Sequence, residues 1–187
     1  MRKQIVMLLI TSSALAAPAV TRTDPSSAIY TQDGRLSFPD GYREWIYLSS
    51  GLDMSYRKSE GMDHSTFDNV FVNPAAYREF MKTGTWPEGT LLVMEVRGAT
   101  EKGSINRSGK FQSGEALGLE VHAKDTQRFA GGWAFFGFGG TGPAPQIPTA
   151  ADCYSCHRDH GLVDTTFVQF YPTLLKAAKH HGTARPD

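Results

Sequence analysis

Apolar and polar positions alternate along much of the chain between residues 45 and 138, a pattern that predicts strands joined by turns. Trp45-Ile46-Tyr47-Leu48 is a first β-favouring run, and Phe67 to Val72 is a second, with Val70 and Val72 on one face and Phe71 on the other. Thr90 to Ala99 is the strongest, built on Leu91-Leu92-Val93-Met94-Glu95-Val96. Leu117 to Lys124 alternates cleanly, with Leu117, Leu119, Val121 and Ala123 on one face and Gly118, Glu120, His122 and Lys124 on the other. Trp133 to Phe138 is an aromatic strand. The polar stretches Ser49 to Asp63 and Gly98 to Gly114 read as loops.

Helical spacing replaces alternation at Asn73-Pro74. Asn is a good N-cap, Pro suits the first helical position, and Gly84 stands where a left-handed stop belongs. Tyr77, Phe80 and Met81 recur at helical spacing and are expected to face the core. Near the C-terminus, Phe167, Phe170, Leu174 and Leu175 predict a short helical region interrupted at Pro172. The strands dominate, so the fold class is α+β: a mainly antiparallel β-sheet domain with a few helices.

Residues 1–19 read as a signal peptide: Arg2 and Lys3, an apolar run from Ile5 to Ile10, and small-residue cleavage patterns ending near Ala16 to Ala19. The run is too short for a membrane span, so no span is expected after processing, and the expected address is a bacterial periplasm. Residues 20–37, rich in Ser, Thr, Asp and Pro, are expected to be a flexible arm, and 38–187 one domain. Without Arg2 and Lys3 the chain has 17 basic against 19 acidic side chains, a balance that gives no reason to expect nucleic acid.

The two cysteines fall in one stretch, Cys153-Tyr154-Ser155-Cys156-His157. C-x-x-C-H is the attachment signature of a c-type haem. Two thiols three residues apart on a helical turn can reach the two vinyl groups and form thioethers, and His157 is then carried under the iron as its ligand. The expected cofactor is therefore one covalently bound haem c on a C-terminal attachment helix. A zinc site would need further ligands at tight spacing, which are missing; a thioredoxin-like redox pair stays open. The ordinary small electron-transfer cytochrome is mostly helical and takes a methionine from beyond its motif, and no methionine follows His157.

Several short stretches, in order, resemble the cytochrome P-460 family, including its relative cytochrome c′-beta. They are Gly41-Tyr42-Arg43-Glu44-Trp45, Val70-Phe71-Val72-Asn73-Pro74, Gly118-Leu119-Glu120, Lys124-Asp125-Thr126-Gln127-Arg128-Phe129, Trp133-Ala134-Phe135, the haem motif, and Phe170-Tyr171-Pro172. The resemblance implies a homodimer of mainly antiparallel β domains with a five-coordinate haem. It further implies hydroxylamine oxidation or nitric oxide binding, with a redox partner such as another periplasmic cytochrome. By it, His157 is the proximal ligand, Cys153 and Cys156 are the thioether pair, and Glu120 is the acidic residue above the iron. The family's cross-linking lysine aligns with Met94, which has no amine to form that bond. His64 stands near the position of an aromatic residue over the iron.

From pattern alone, Glu120 belongs to a solvated face with His122 and Lys124; the resemblance moves it to the haem pocket, where His122 could join its proton relay. Met94 reads as an apolar pocket wall or as a sulfur ligand. His64 reads as an exposed loop residue, a distal hydrogen-bond donor or a sixth ligand. The competing function is a six-coordinate electron-transfer cytochrome that uses Met94 or His64 and performs no substrate chemistry.

Overall fold

The computed structural model describes residues 26–55 and 65–186. Its centre is one antiparallel sheet of five strands: β1 (Ile46–Leu52), β2 (Thr66–Val72), β3 (Leu91–Thr100), β4 (Phe111–Lys124) and β5 (Trp133–Phe138). They lie side by side in sequence order. The register sets Val70 opposite Met94, Met94 opposite Glu120, and Glu120 opposite Gly137. The helices are α1 (Pro74–Thr83), α2 (Asp152–His160) and α3 (Pro172–His181).

Both faces of the sheet are covered, which explains why β3 and β5 read as near-continuous apolar runs. On one face Val93, Val121 and Phe136 pack with Leu36, Tyr42 and Phe129. On the other, Val72, Leu92 and Trp133 meet Phe80 of α1, Trp86, and Leu174 and Ala178 of α3. Glu95 faces the first layer and is 3% exposed. It accepts hydrogen bonds from Tyr42 Oη, from Arg43 Nε at 2.8 Å and from Arg97 Nε at 2.5 Å. Burial alone would push its carboxyl up; hydrogen bonds from Arg97, Tyr42 and Arg43 outweigh that and hold it at about 2.

Several expectations are corrected. β1 continues through Leu52, and β3 and β4 run on to Thr100 and from Phe111, so the two polar loops are partly strand. Polar residues suit such outlying hairpin arms, and composition therefore concealed them. Leu117 is 65% exposed. Val96 pairs with Gly118 and Arg97 with Ala116, so Leu117 is the extra residue of a bulge and leaves the alternation.

α1 starts and stops as expected, with Gly84 at φ 72° and its N–H donating to the Phe80 carbonyl at 2.7 Å. The Asn73 side chain, however, makes no cap bond: it accepts from the Leu91 N–H at 3.0 Å and donates to the Gly89 carbonyl at 3.0 Å. It thereby ties the start of α1 to the start of β3. Met81 is 37% exposed, and Ala76 takes the buried position instead. Pro172 does not interrupt the C-terminal helix but opens it at the first turn, where a missing N–H does no harm. The described part of the expected arm, residues 26–37, packs on the core. Leu36 is 1% exposed and exchanges backbone hydrogen bonds of 2.9 Å with Ala144.

Candidate functional site

A cleft of about 690 Å³ opens between the α3-side face of the sheet and α2, within the range of ligand and cofactor sites. Alternation on β3 and β4 turns Met94 and Glu120 into it, and the register makes them direct cross-strand neighbours. Cys153, Cys156 and His157 line it from α2.

The α2 helix buries none of its residues completely. It is attached through Tyr154, whose hydroxyl donates to the Ile147 carbonyl at 3.0 Å and accepts from the Phe135 N–H at 3.3 Å. It is attached also through His157, whose ring lies between Phe167 and Phe135, with centroids at 4.1 and 4.6 Å.

His157 Nδ1 is 2.7 Å from the Thr165 carbonyl oxygen. A carbonyl only accepts, so Nδ1 carries the proton and Nε2 keeps its lone pair for a metal. Burial pushes the imidazole pKa down, against the opposing pull of that hydrogen bond, which favours the neutral, ligating form.

The Thr165 carbonyl is itself fixed by a tight turn. Thr166 Oγ1 donates to the Val163 carbonyl at 2.7 Å and accepts from the Trp86 indole at 2.8 Å. Gly161 makes the return from α2 possible, since a Cβ there would stand 2.6 Å from the His157 carbonyl oxygen and 2.8 Å from the Thr165 carbonyl carbon.

His122 shares the sheet face of Glu120 but is packed beside the motif histidine. It is 6% exposed and stacks on Phe135 at 4.0 Å. Its Nε2 lies 3.3 Å from Thr165 Oγ1, and its ring meets the His157 ring at 5.0 Å. Burial, then the nearby His157, push its pKa well down, so it stays neutral and is poorly suited to carry protons for Glu120.

Glu120 is accessible from the cleft. Enough protein surrounds it that burial, followed by the charge of Asp68, pushes its carboxyl up. Asp68 was not singled out by sequence reasoning, although parity with Val70 and Val72 places it on this face. Thr165, Gly161 and Phe167 were missed as well. A strand parity could have revealed the first; the others act through backbone shape or packing, which a single sequence does not display. His64 lies outside the described residues.

These residues fit a haem: two thiols one helical turn apart, an oriented imidazole behind them, and a broad slot against the sheet. Burial pushes the Cys153 thiol up, the opposite of what a thioredoxin-like redox pair needs. Among the described residues no three of His, Cys, Asp and Glu converge to hold a bare metal ion, so a zinc centre has no support there. No helix among them is long and apolar enough to cross a membrane.

No curated protein matches the chain. A family model described as Cytochrome P460 matches residues 39–168, a span holding all five strands, α2 and every cleft residue discussed above. The family suggests a haem cytochrome acting on small nitrogen species, and the donor set just described suits that cofactor. A match over well more than half of the sequence is decisive: the chain belongs to the cytochrome P460 family.

Proposed function

We propose that this is a periplasmic c-type cytochrome with a single haem, held by thioethers to Cys153 and Cys156 and ligated by His157, that acts on hydroxylamine or nitric oxide. One observation carries the reading: Glu120 and the haem motif line the same cleft from opposite sides. When bound, the haem would supply a redox-active iron. The chain supplies everything else. Thr165 orients His157, Met94 and Leu92 offer apolar wall, and Glu120 receives protons from a bound nitrogen. A redox partner, such as another periplasmic cytochrome, would take up the electrons. Residues 1–19 act as the export leader, and the domain assembles as a homodimer, as the resemblance implies.

The experiment is periplasmic expression with haem maturation, followed by denaturing mass spectrometry and an optical spectrum. A haem-sized mass increase that acid-acetone does not remove is expected, and an unmodified polypeptide would sink the proposal. High-spin ferrous bands are expected from a five-coordinate site. Met94, on the cleft wall, favours one other reading: a sulfur ligand making an electron carrier, which sharp low-spin bands would reveal.

Met94 also bears on the family's cross-link. The protein should lack the red-shifted ferrous spectrum of the lysine-linked enzymes, because a thioether has no amine. Met94→Lys should acquire an extra haem–peptide bond, detected by peptide mapping. If digestion of the unmutated protein already shows such a bond at another residue, the placement of Met94 is wrong.

A further inference from the structure

Asp68 stands in the middle of β2, where Asp is disfavoured, and on a covered face of the sheet. It lines the cleft with Glu120, Cys153 and His157. Asp68 pairs with Val96, and Met94 pairs with Glu120, so the two carboxylates lie on the strands either side of β3, one row apart. Little stands between them: Val96 and Met94 on β3, and Gly118, where a Cβ would meet nothing within 4 Å. Asp68 makes no hydrogen bond or ion pair with any described residue. A strand interior that keeps such a group departs from local preference, which is the mark of a functional position.

We propose that Asp68 works with Glu120 as a carboxylate pair on the cleft wall, selecting a small nitrogen base that brings both N–H and O–H donors, such as hydroxylamine, over a diatomic gas. This rests on the reading of the cleft as a haem site for small nitrogen species. Burial pushes both carboxyls up, Asp68 being raised next by the charge of Asp53 and Glu120 by that of Asp68. Two such groups in one site disfavour ionising together, so one of them holds a proton more readily than a lone carboxyl does. The ionised member accepts a hydrogen bond while the protonated member donates one. Hydroxylamine can satisfy both. Nitric oxide brings no donor, so it leaves the pair's ionised oxygens without a partner.

Among the described residues, the other titratable groups around the pair do not neutralise it. Asp53, beyond the end of β1, is engaged by Lys110 at 3.6 Å. On β4 there is His122, held neutral, and α2 brings Asp152, Cys153, His157, Asp159 and His160 to the cleft. Among the described residues no Lys or Arg lines it.

The test uses the haem-loaded full chain with Asp68→Asn, Asp68→Thr and Glu120→Gln. Infrared spectra near neutral pH should show a protonated carboxyl band that shrinks in the Asp68 variants, because removing the charge of Asp68 lowers the Glu120 pKa. Optical titration with hydroxylamine should show about tenfold weaker binding in both Asp68 variants, the scale of one charge-assisted hydrogen bond. Nitric oxide affinity of the ferrous protein should stay within about twofold, since that ligand makes no such bond. A band that does not shrink in the Asp68 variants, or unchanged hydroxylamine affinity, overturns the pairing. If Glu120→Gln alone weakens hydroxylamine, the pair fails and the nitrogen reading stands; if the unmutated protein binds none, both fail.

Discussion

Glu120→Gln should lower hydroxylamine turnover with an artificial electron acceptor by about a hundredfold or more, the usual scale for a lost general base. Oxidising hydroxylamine releases protons as well as electrons, so a base must stand within hydrogen-bond reach of the bound nitrogen. Glu120 is the residue proposed for that role, and it lines the cleft from a rigid element, fixed opposite Met94 in β3 and Gly137 in β5. Glutamine keeps the shape and removes the basicity, so haem content and nitric oxide binding should be nearly unchanged. The pH profile gives a second reading. Burial and the charge of Asp68 raise the Glu120 pKa, so the base form is lost as pH falls through a value above the ordinary carboxylate range. Turnover in the unmutated protein should fall there, and the residual rate of the variant should not. Equal turnover in the two proteins would place Glu120 outside the chemistry.

The second large effect is on stability. Glu95→Ala should cost about 2–3 kcal/mol, which for a chain of this size lowers Tm by roughly 5–10 °C. Removing the carboxylate takes an acceptor from Tyr42 Oη, 3% exposed as a residue, and from Nε of Arg97, 20% exposed, which keeps its bond to the Gly114 carbonyl. Arg43 is 56% exposed and can turn to water, which is why the expected loss is below that of a fully buried pair. The sign with pH follows from a folded-state pKa of about 2, below the unfolded value. The contribution is fully present above the unfolded carboxyl pKa, about 4.3, and disappears as pH falls toward 2. Melting curves by circular dichroism at pH 7 and at pH 2–3 should therefore show a wide gap that narrows in acid. A gap that persists unchanged would mean that packing, not charge, holds this residue. Met94 is the neighbour of Glu95 on the opposite face of β3, so loosening this anchor also disturbs the cleft wall.

What the sequence made legible was whatever a short-range pattern encodes. Pro74 and Gly84 bounded α1 because a proline-fixed φ in the first turn and left-handed backbone at the stop are local chemistry. Phe71 against Val70 and Val72 divided correctly between the two cores because strand parity is local. Cys153, Cys156 and His157 come to one cleft wall together because they are contiguous on α2. Leu117 went wrong because a bulge against Arg97 shifts phase, and the shift belongs to the pair of strands. Glu95 looked like one charge in an apolar run; its three donors come from Tyr42, Arg43 and Arg97, two of them about fifty residues away. Thr165 holds His157 through a backbone carbonyl, which no residue type announces.

The plain succession of strands has a consequence for the order of assembly. Every strand pairs with the one made just before it, so each step closes only a short loop and none waits for a distant partner. The wall bearing Asp68, Met94 and Glu120 is complete in sequence by Phe138, before Cys153 is reached. A chain that emerges N-terminus first can therefore finish one side of its cleft while the attachment cysteines still lie on an undocked tail. Because α2 buries no residue completely, its docking against that wall is weakly self-supported and is left to Tyr154 and His157.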